Sequence, residues 1–302
     1  MKRDYGGLYA APQALWLTFF FAAPLVIIVA YSFMKKGLYG GVEPQASLDA
    51  YRALANPTLL VVAIRTLWAS VAATAITILV ALPCGYSIAR SRNQSVMLFL
   101  VIVPFWTNFL VRIYAWIAIL GNEGFVNDFL RMVGLVNEPV QLLYNQGAVI
   151  LVLVYMYLPY AILPLFSTID KFDFTLLEAA RDLGATRLQA IRKVLMPNIR
   201  GGLVTAVLFT FIPIFGAYAV PLLVGGKDSY MLGNVIADQV TKTRNWPLAS
   251  AISMSVTFLT AVAALLFGLR SRAQAARAIA ESGVEPLGPA PAALGGDSGG
   301  AS

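Results

Sequence analysis

Histidine is absent from this chain, and cysteine occurs once, as Cys84 inside an apolar run. Together these absences exclude imidazole acid–base catalysis, Cys/His metal sites and intrachain disulfides. Charge is scarce too. Only 12% of residues are Asp, Glu, Lys or Arg, against 59% hydrophobic, and mean hydropathy is +0.73. A soluble domain carries about twice that share of charge, so the chain reads as a membrane protein. Its net charge of +7 would suggest nucleic acid in a soluble protein. Here basic loops beside anionic membrane lipid account for it, and no nucleic-acid partner is expected.

All 15 Asp and Glu residues fall outside the apolar runs. Ion-driven carriers usually bind their coupling ion at an intramembrane carboxylate, so that class is disfavoured. No G-x-x-x-x-G-K-[ST] phosphate loop occurs; Gly225-Gly226-Lys227-Asp228 lacks the earlier glycine. The expectation is a non-enzyme with no cofactor of its own. Asp170 and Asp173 lie close in sequence, but they read as helix-start acids stabilised by the local dipole rather than as a catalytic pair.

What is present is apolar length. Six runs, at 14–33, 67–88, 97–120, 148–169, 202–224 and 248–269, are each long enough to cross a hydrocarbon core of ~30 Å. The fold class expected is an all-α polytopic membrane protein with six transmembrane helices. The first run is followed by no small-residue cleavage site and reads as a retained span. Lys2, Arg3, Arg90, Arg92, the basic residues of 170–200, and Arg270, Arg272 and Arg277 outnumber those on the opposite side. That excess places both termini in the cytoplasm, although Lys35 and Lys36 fall outside. The organisation expected is a cytoplasmic N-terminus (1–13), a transmembrane domain (14–272) and a flexible cytoplasmic tail (273–302), the last rich in Gly, Ala, Pro and Ser.

Between the fourth and fifth runs lies the long polar interruption 170–200. Thr175 stands three residues before Glu178, and Thr186 three before Gln189, each spaced as a capping box. Gly184 sits where the first helix must end in a left-handed residue. Pro197 is expected to close the second helix. The result is a cytoplasmic helix–turn–helix bearing Lys171, Arg181, Arg187, Arg192, Lys193 and Arg200. Its residues Glu178-Ala179-Ala180, Gly184 and Val194-Leu195-Met196-Pro197 resemble the signature loop of ABC-importer permeases. The resemblance implies that Glu178, Ala179, Ala180, Gly184 and Pro197 belong to coupling helices seated in a separate ATPase subunit. The bland alternative is an ordinary loop whose Glu178 caps a helix.

Within the runs, the third carries Trp106, Asn108 and Arg112 in an unusually aromatic and polar stretch. Asn108 is one turn below Arg112 on the same face, and Arg112 must face protein or water. These side chains line a pathway or lock helices together; both readings stand. Phe211, Phe215 and Tyr218 recur at i, i+4 and i+7, spaced for helix packing or a pore lining, and Tyr157 lies in the fourth run. Pro83, Gly85, Pro159, Pro164, Pro213, Gly216 and Pro221 promise kinks.

The stretch 104–116, Leu158-Pro159, Leu163-Pro164, the loop 176–185 and Arg244-Asn245-Trp246-Pro247 together look like the spermidine/putrescine permease group. That resemblance covers roughly residues 15–270. It implies a bacterial inner-membrane subunit working with a second permease, two ATPase subunits that bind ATP and Mg, and a periplasmic substrate-binding protein. It also implies polyamine import, with Trp106, Tyr157, Phe211, Phe215 and Tyr218 as candidate aromatic contacts for a cation. The alternatives are the same machine carrying another small amine or organic solute and, from another class, a six-span channel. A channel would give the 170–200 loop no purpose.

Overall fold

The structure is a computed structural model; it describes residues 6–281, with side chains over 11–262 and at 264 and 265. The N-terminal helix is α1 (Gly6–Leu17), which passes through a π-turn (Thr18–Ala22) into α2 (Ala23–Ser32). A short antiparallel hairpin follows, β1 (Met34–Lys36) with β2 (Val42–Ala46), then α3 (Asp49–Ala53). The long α4 runs Pro57–Ala89. Asn56 caps it, accepting from Thr58 N–H at 2.9 Å, and Pro57 sits at the first helical position, where its missing N–H costs nothing. The helix therefore starts well before residue 67 and includes Arg65.

The third apolar run is not one helix. It divides into α5 (Gln94–Ile102), a 3-10 turn (Val103–Trp106) and α6 (Phe109–Leu120). Pro104 removes a ladder donor, and the Asn108 side chain takes the N–H of Leu110 at 2.8 Å, so a new helix starts there. Next come α7 (Phe125–Met132) and α8 (Gln146–Ile169), the latter capped by Asn145 on Ala148 N–H. The central loop holds α9 (Thr175–Asp182), α10 (Arg187–Ala190), a π-turn (Ile191–Leu195) and α11 (Met196–Asn198).

The fifth run is also broken, into α12 (Arg200–Phe215) and α13 (Ala219–Val224). A short α14 (Leu232–Thr241) precedes α15 (Trp246–Glu281). Residues from Ala261 onward form a second unit, described as helix to Glu281. Residues 273–281, expected in the tail, are thus helical; residues 1–5 and 282–302 lie outside the described residues.

The first unit is built on α4, α8 and α12, which pack on one another. The buried face of α4 is Thr66, Ala69, Ser70, Ala73, Thr74, Thr77, Ala81 and Gly85. Small side chains at three- and four-residue spacing let helix backbones close up, which drives association where apolar burial gives no advantage over lipid. At Gly85 a Cβ would stand 3.3 Å from the backbone N of Phe166. At Gly202 it would overlap the Thr168 side chain, so α12 and α8 cross there. One core cluster centres on Ile113, Val152, Leu153, Ile214 and Val224, and a second on Ala81, Ile162, Leu165, Ile169, Leu195 and Ile199.

By length and composition four helical stretches can cross a membrane: 11–32, 57–89, 109–132 and 146–169. A fifth is possible if the pair 187–198 and 200–215, bent by 75°, is one span.

Candidate functional site

The central loop rests on the second core cluster. Leu177, Ala190, Leu195 and Ile199 are buried with Ile88, Ala89, Leu165 and Ile169, which fixes the loop to the ends of α4 and α8. Gln94 adds a polar tie, donating through Nε2 to Ala89 O and to Asp170 Oδ1, both at 3.0 Å.

The turn between α9 and α10 forms as its residues dictate. Gly184 has φ +88°, and the N–H groups of Gly184 and Ala185 return to the carbonyls of Arg181 and Ala180. Thr186 and Gln189 make the reciprocal capping box. The Thr175 box, by contrast, does not form. Asp173 occupies that role, accepting from Thr175 N–H at 3.0 Å and from its hydroxyl at 2.7 Å. A carboxylate is the stronger acceptor, and those two bonds hold Asp173 below the usual carboxylate range.

Pro197 does not end the second helix. The π-turn widens the backbone ahead of it, Asn198 Nδ2 donates to Val194 O at 2.7 Å, and the bend falls at Ile199. Leu183 and Leu188 project from the turn, 90% and 75% exposed, beside a polar concavity lined by Glu178, Arg181, Asp182, Gly184 and Arg187. An adjoining concavity adds Tyr86, Arg90 and Phe174. Arg90 Nη1 donates to the Tyr86 hydroxyl at 3.2 Å, and its guanidinium lies 5.4 Å from the Phe174 ring centre. In the sequence Arg90 reads only as a topology charge, because Phe174, the loop residue it reaches, is far away along the chain.

The membrane-face candidates form two groups. In the first, Arg112 stacks on Phe105 at 4.5 Å and reaches Phe109 at 5.9 Å. Its Nε and Nη1 are buried without a hydrogen-bond partner among the described residues. Phe105 stacks on Tyr155, and Tyr155 meets Trp116 edge-on. Trp106 points away, 75% exposed, and Asn108 is spent on capping α6. The half-buried Tyr157 lies against Tyr160.

In the second group, Phe211 and Phe215 stack at 5.5 Å, but α12 ends at Phe215. Phe215 is 4% exposed in a cluster with Leu232 and Ile252, whereas Tyr218, beyond the break, is 45% exposed. The three aromatics do not form one stripe, because the chain leaves the helix between the second and the third. No aromatic or cation–π pair joins the two groups among the described residues.

Residues 78–274, which contain the loop and both groups, match the family of binding-protein-dependent transport system inner membrane components. The chain belongs to that family. As such a component it is a multi-pass permease subunit of the inner membrane and not an ATPase subunit. It is 34% identical over 259 residues to the spermidine/putrescine transport system permease protein PotB of Escherichia coli, covering 85% of this chain and 94% of that protein. The PotB of Haemophilus influenzae is 37% identical over 249 residues, 82% of this chain and 87% of that protein. The inner membrane ABC transporter permease protein YdcU of Escherichia coli is 31% identical over 237 residues, 73% and 75% of the two chains. Among solved structures, a bacterial ABC transporter involved in the import of the acidic polysaccharide alginate superposes with TM-score 0.69 at 18% identity, over 90% of this permease and 96% of that chain. At that identity the match speaks to the permease fold alone.

Proposed function

We propose that this permease subunit imports polyamines of the spermidine/putrescine class, driven by ATP that a partner hydrolyses. The observation that carries the reading is the 34% and 37% identity to spermidine/putrescine permeases over more than four-fifths of the chain. The working assembly is this chain with a second permease, two ATPase subunits that bind ATP and Mg, and a periplasmic binding protein. The chain crosses the membrane six times in this reading, with α5–α6 and α12–α13 each a broken span and both termini cytoplasmic. The loop 170–200 then faces the ATPase, with Glu178, Ala179, Ala180 and Gly184 at the contact and Pro197 near the bend into α12. Leu183 and Leu188, 90% and 75% exposed on the turn, support this reading as apolar surface that a partner can cover.

The six apolar runs carry no carboxylate, so a polycation crossing them meets weaker ligands. Aromatic faces each attract an ammonium by ~0.5–2 kcal/mol, weak enough to release it. Tyr218 and Trp106 expose their rings on this chain; Phe215 belongs to packing instead. The deciding experiment is uptake of labelled spermidine and putrescine by vesicles holding the whole complex. Uptake that needs both ATP and the binding protein supports the reading; the same complex moving neither amine refutes it. Labelling of single cysteines at Asp128 and Arg187, in a Cys84→Ser background, should mark opposite faces of the membrane.

A further inference from the structure

The central loop divides by charge just after its glycine turn. Residues 170–186 carry four acids, Asp170, Asp173, Glu178 and Asp182, against two bases, Lys171 and Arg181. Residues 187–200 carry Arg187, Arg192, Lys193 and Arg200 and no acid at all. None of those four cations forms an ion pair among the described residues. Four like charges so close together repel one another and gain from an anionic surface.

The basic half is amphipathic, and its apolar side is already taken. Ala190, Leu195 and Ile199 are buried in the second core cluster, with Ile191, Val194 and Met196 packed beside them. Arg192 and Lys193, in the π-turn, are exposed, and Arg200 is half-buried at the start of α12. The helical stretch 187–198 meets α12 at 75°. With α12 crossing the membrane, that stretch runs close to the membrane plane. Its depth follows from the sequence. The fifth apolar run begins at 202, four residues beyond Asn198, which is about 6 Å at helical rise. The headgroup layer is about 5–8 Å thick on each side of a bilayer.

Anionic lipid of the cytoplasmic leaflet attracts basic residues held at that depth, and a guanidinium pairs well with phosphate oxygens. We propose that Arg192, Lys193 and Arg200 form a binding edge for the headgroup of an anionic phospholipid. The basic half of the loop is then held on the membrane surface while the acidic half faces the ATPase. The inference rests on the topology proposed above, with the loop cytoplasmic, and adds a lipid partner to it.

The test uses the complete transporter in vesicles, with the exposed Asn198 replaced as Asn198→Cys in a Cys84→Ser background. In sealed right-side-out vesicles an impermeant thiol reagent should not reach that cysteine; reaction there overturns the topology, and this inference with it. If the cysteine is protected, lipid quenching decides. With a fluorophore at that position, brominated phosphatidylglycerol should quench more than brominated phosphatidylcholine at equal mole fraction. Arg192→Gln combined with Lys193→Gln should lower that preference about fivefold or more, since each cation near an anionic surface is worth about that factor. Lys171→Gln, which removes an exposed cation from the acidic half, should leave the preference unchanged. That pattern, at normal membrane level, supports the proposal. Equal quenching by the two lipids in the parent, quenching by neither, a preference that survives the double substitution, or an equal fall in Lys171→Gln overturns it.

Discussion

The guanidinium carbon of Arg112, in α6, lies 4.5 Å from the centre of the Phe105 ring, in the 3-10 turn that separates α5 from α6. The contact ties α6 to the turn that interrupts the apolar run. It also gives a half-buried cation, with no ion pair among the described residues, a π face as its counter-group. Replacing Phe105 with leucine should cost ~0.5–2 kcal/mol, seen as a lower unfolding midpoint of the detergent-solubilised complex. An unchanged midpoint would remove the contact from the account of how the break is held.

Phe215 and Tyr218, evenly spaced in sequence, should respond differently to substitution. Phe215→Leu opens space in a cluster where the ring is 4% exposed and should lower stability by about 1–3 kcal/mol. Tyr218→Leu alters a residue 45% exposed and should spare stability while slowing uptake. Thermal unfolding and vesicle uptake, measured on both variants, check the split. Equal loss of stability in the two would contradict it.

At Gly184 the backbone alone sets the constraint. A Cβ there meets nothing within 4 Å, but φ is +88°. Gly184→Val should strain the turn by about 1–3 kcal/mol, and Gly184→Asn, which tolerates the left-handed region, should not. Comparing ATP hydrolysis with uptake in the assembled complex tests this. The valine variant is expected to hydrolyse with poor coupling and the asparagine variant to behave as the parent. Normal uptake by the valine variant would count against the loop as the coupling element.

The start of α9 should depend on acidity. Asp173 is held below the usual carboxylate range by the hydroxyl and N–H of Thr175. A depressed native value means this contribution is complete above the ordinary carboxylate pKa and is lost as pH falls through the lowered one. Thr175→Val removes the hydroxyl donor and should move the loss to higher pH. A spin label at Leu176 reports it, becoming mobile on acidification earlier in the variant than in the parent. Coincident profiles would show that the Asp173 contacts do not hold this helix start.

Much of the outline was legible from residue order because membranes impose it locally. Apolar length marks candidate spans, and 146–169 differs from the expected fourth run only at its first residues. The Gly184 turn and the Thr186–Gln189 box were readable for the same reason: each is satisfied within a few residues of itself. The Thr175 box does not form because Asp173, two residues earlier, takes both the N–H and the hydroxyl proton of Thr175.

What residue order by itself determined is therefore the class of the molecule, its apolar runs, its polar loop and the family it belongs to. What only the tertiary structure decided is where those runs break and which side chains the breaks serve. The Asn234–Tyr218 bond spans 16 residues, the Leu232–Thr66 bond 166 and the Gln94–Asp170 bond 76. No periodicity or spacing rule reaches across such distances. Whether a proline or glycine kinks a helix or ends it depends on whether a partner elsewhere takes up the freed backbone groups. Pro159 and Pro164 leave α8 unbroken, packed against α4 and α12 along its length. Beyond Gly216 the helix ends, and the carbonyl of Tyr218 is held both by the distant Asn234 and by Leu222 N–H of the new helix α13.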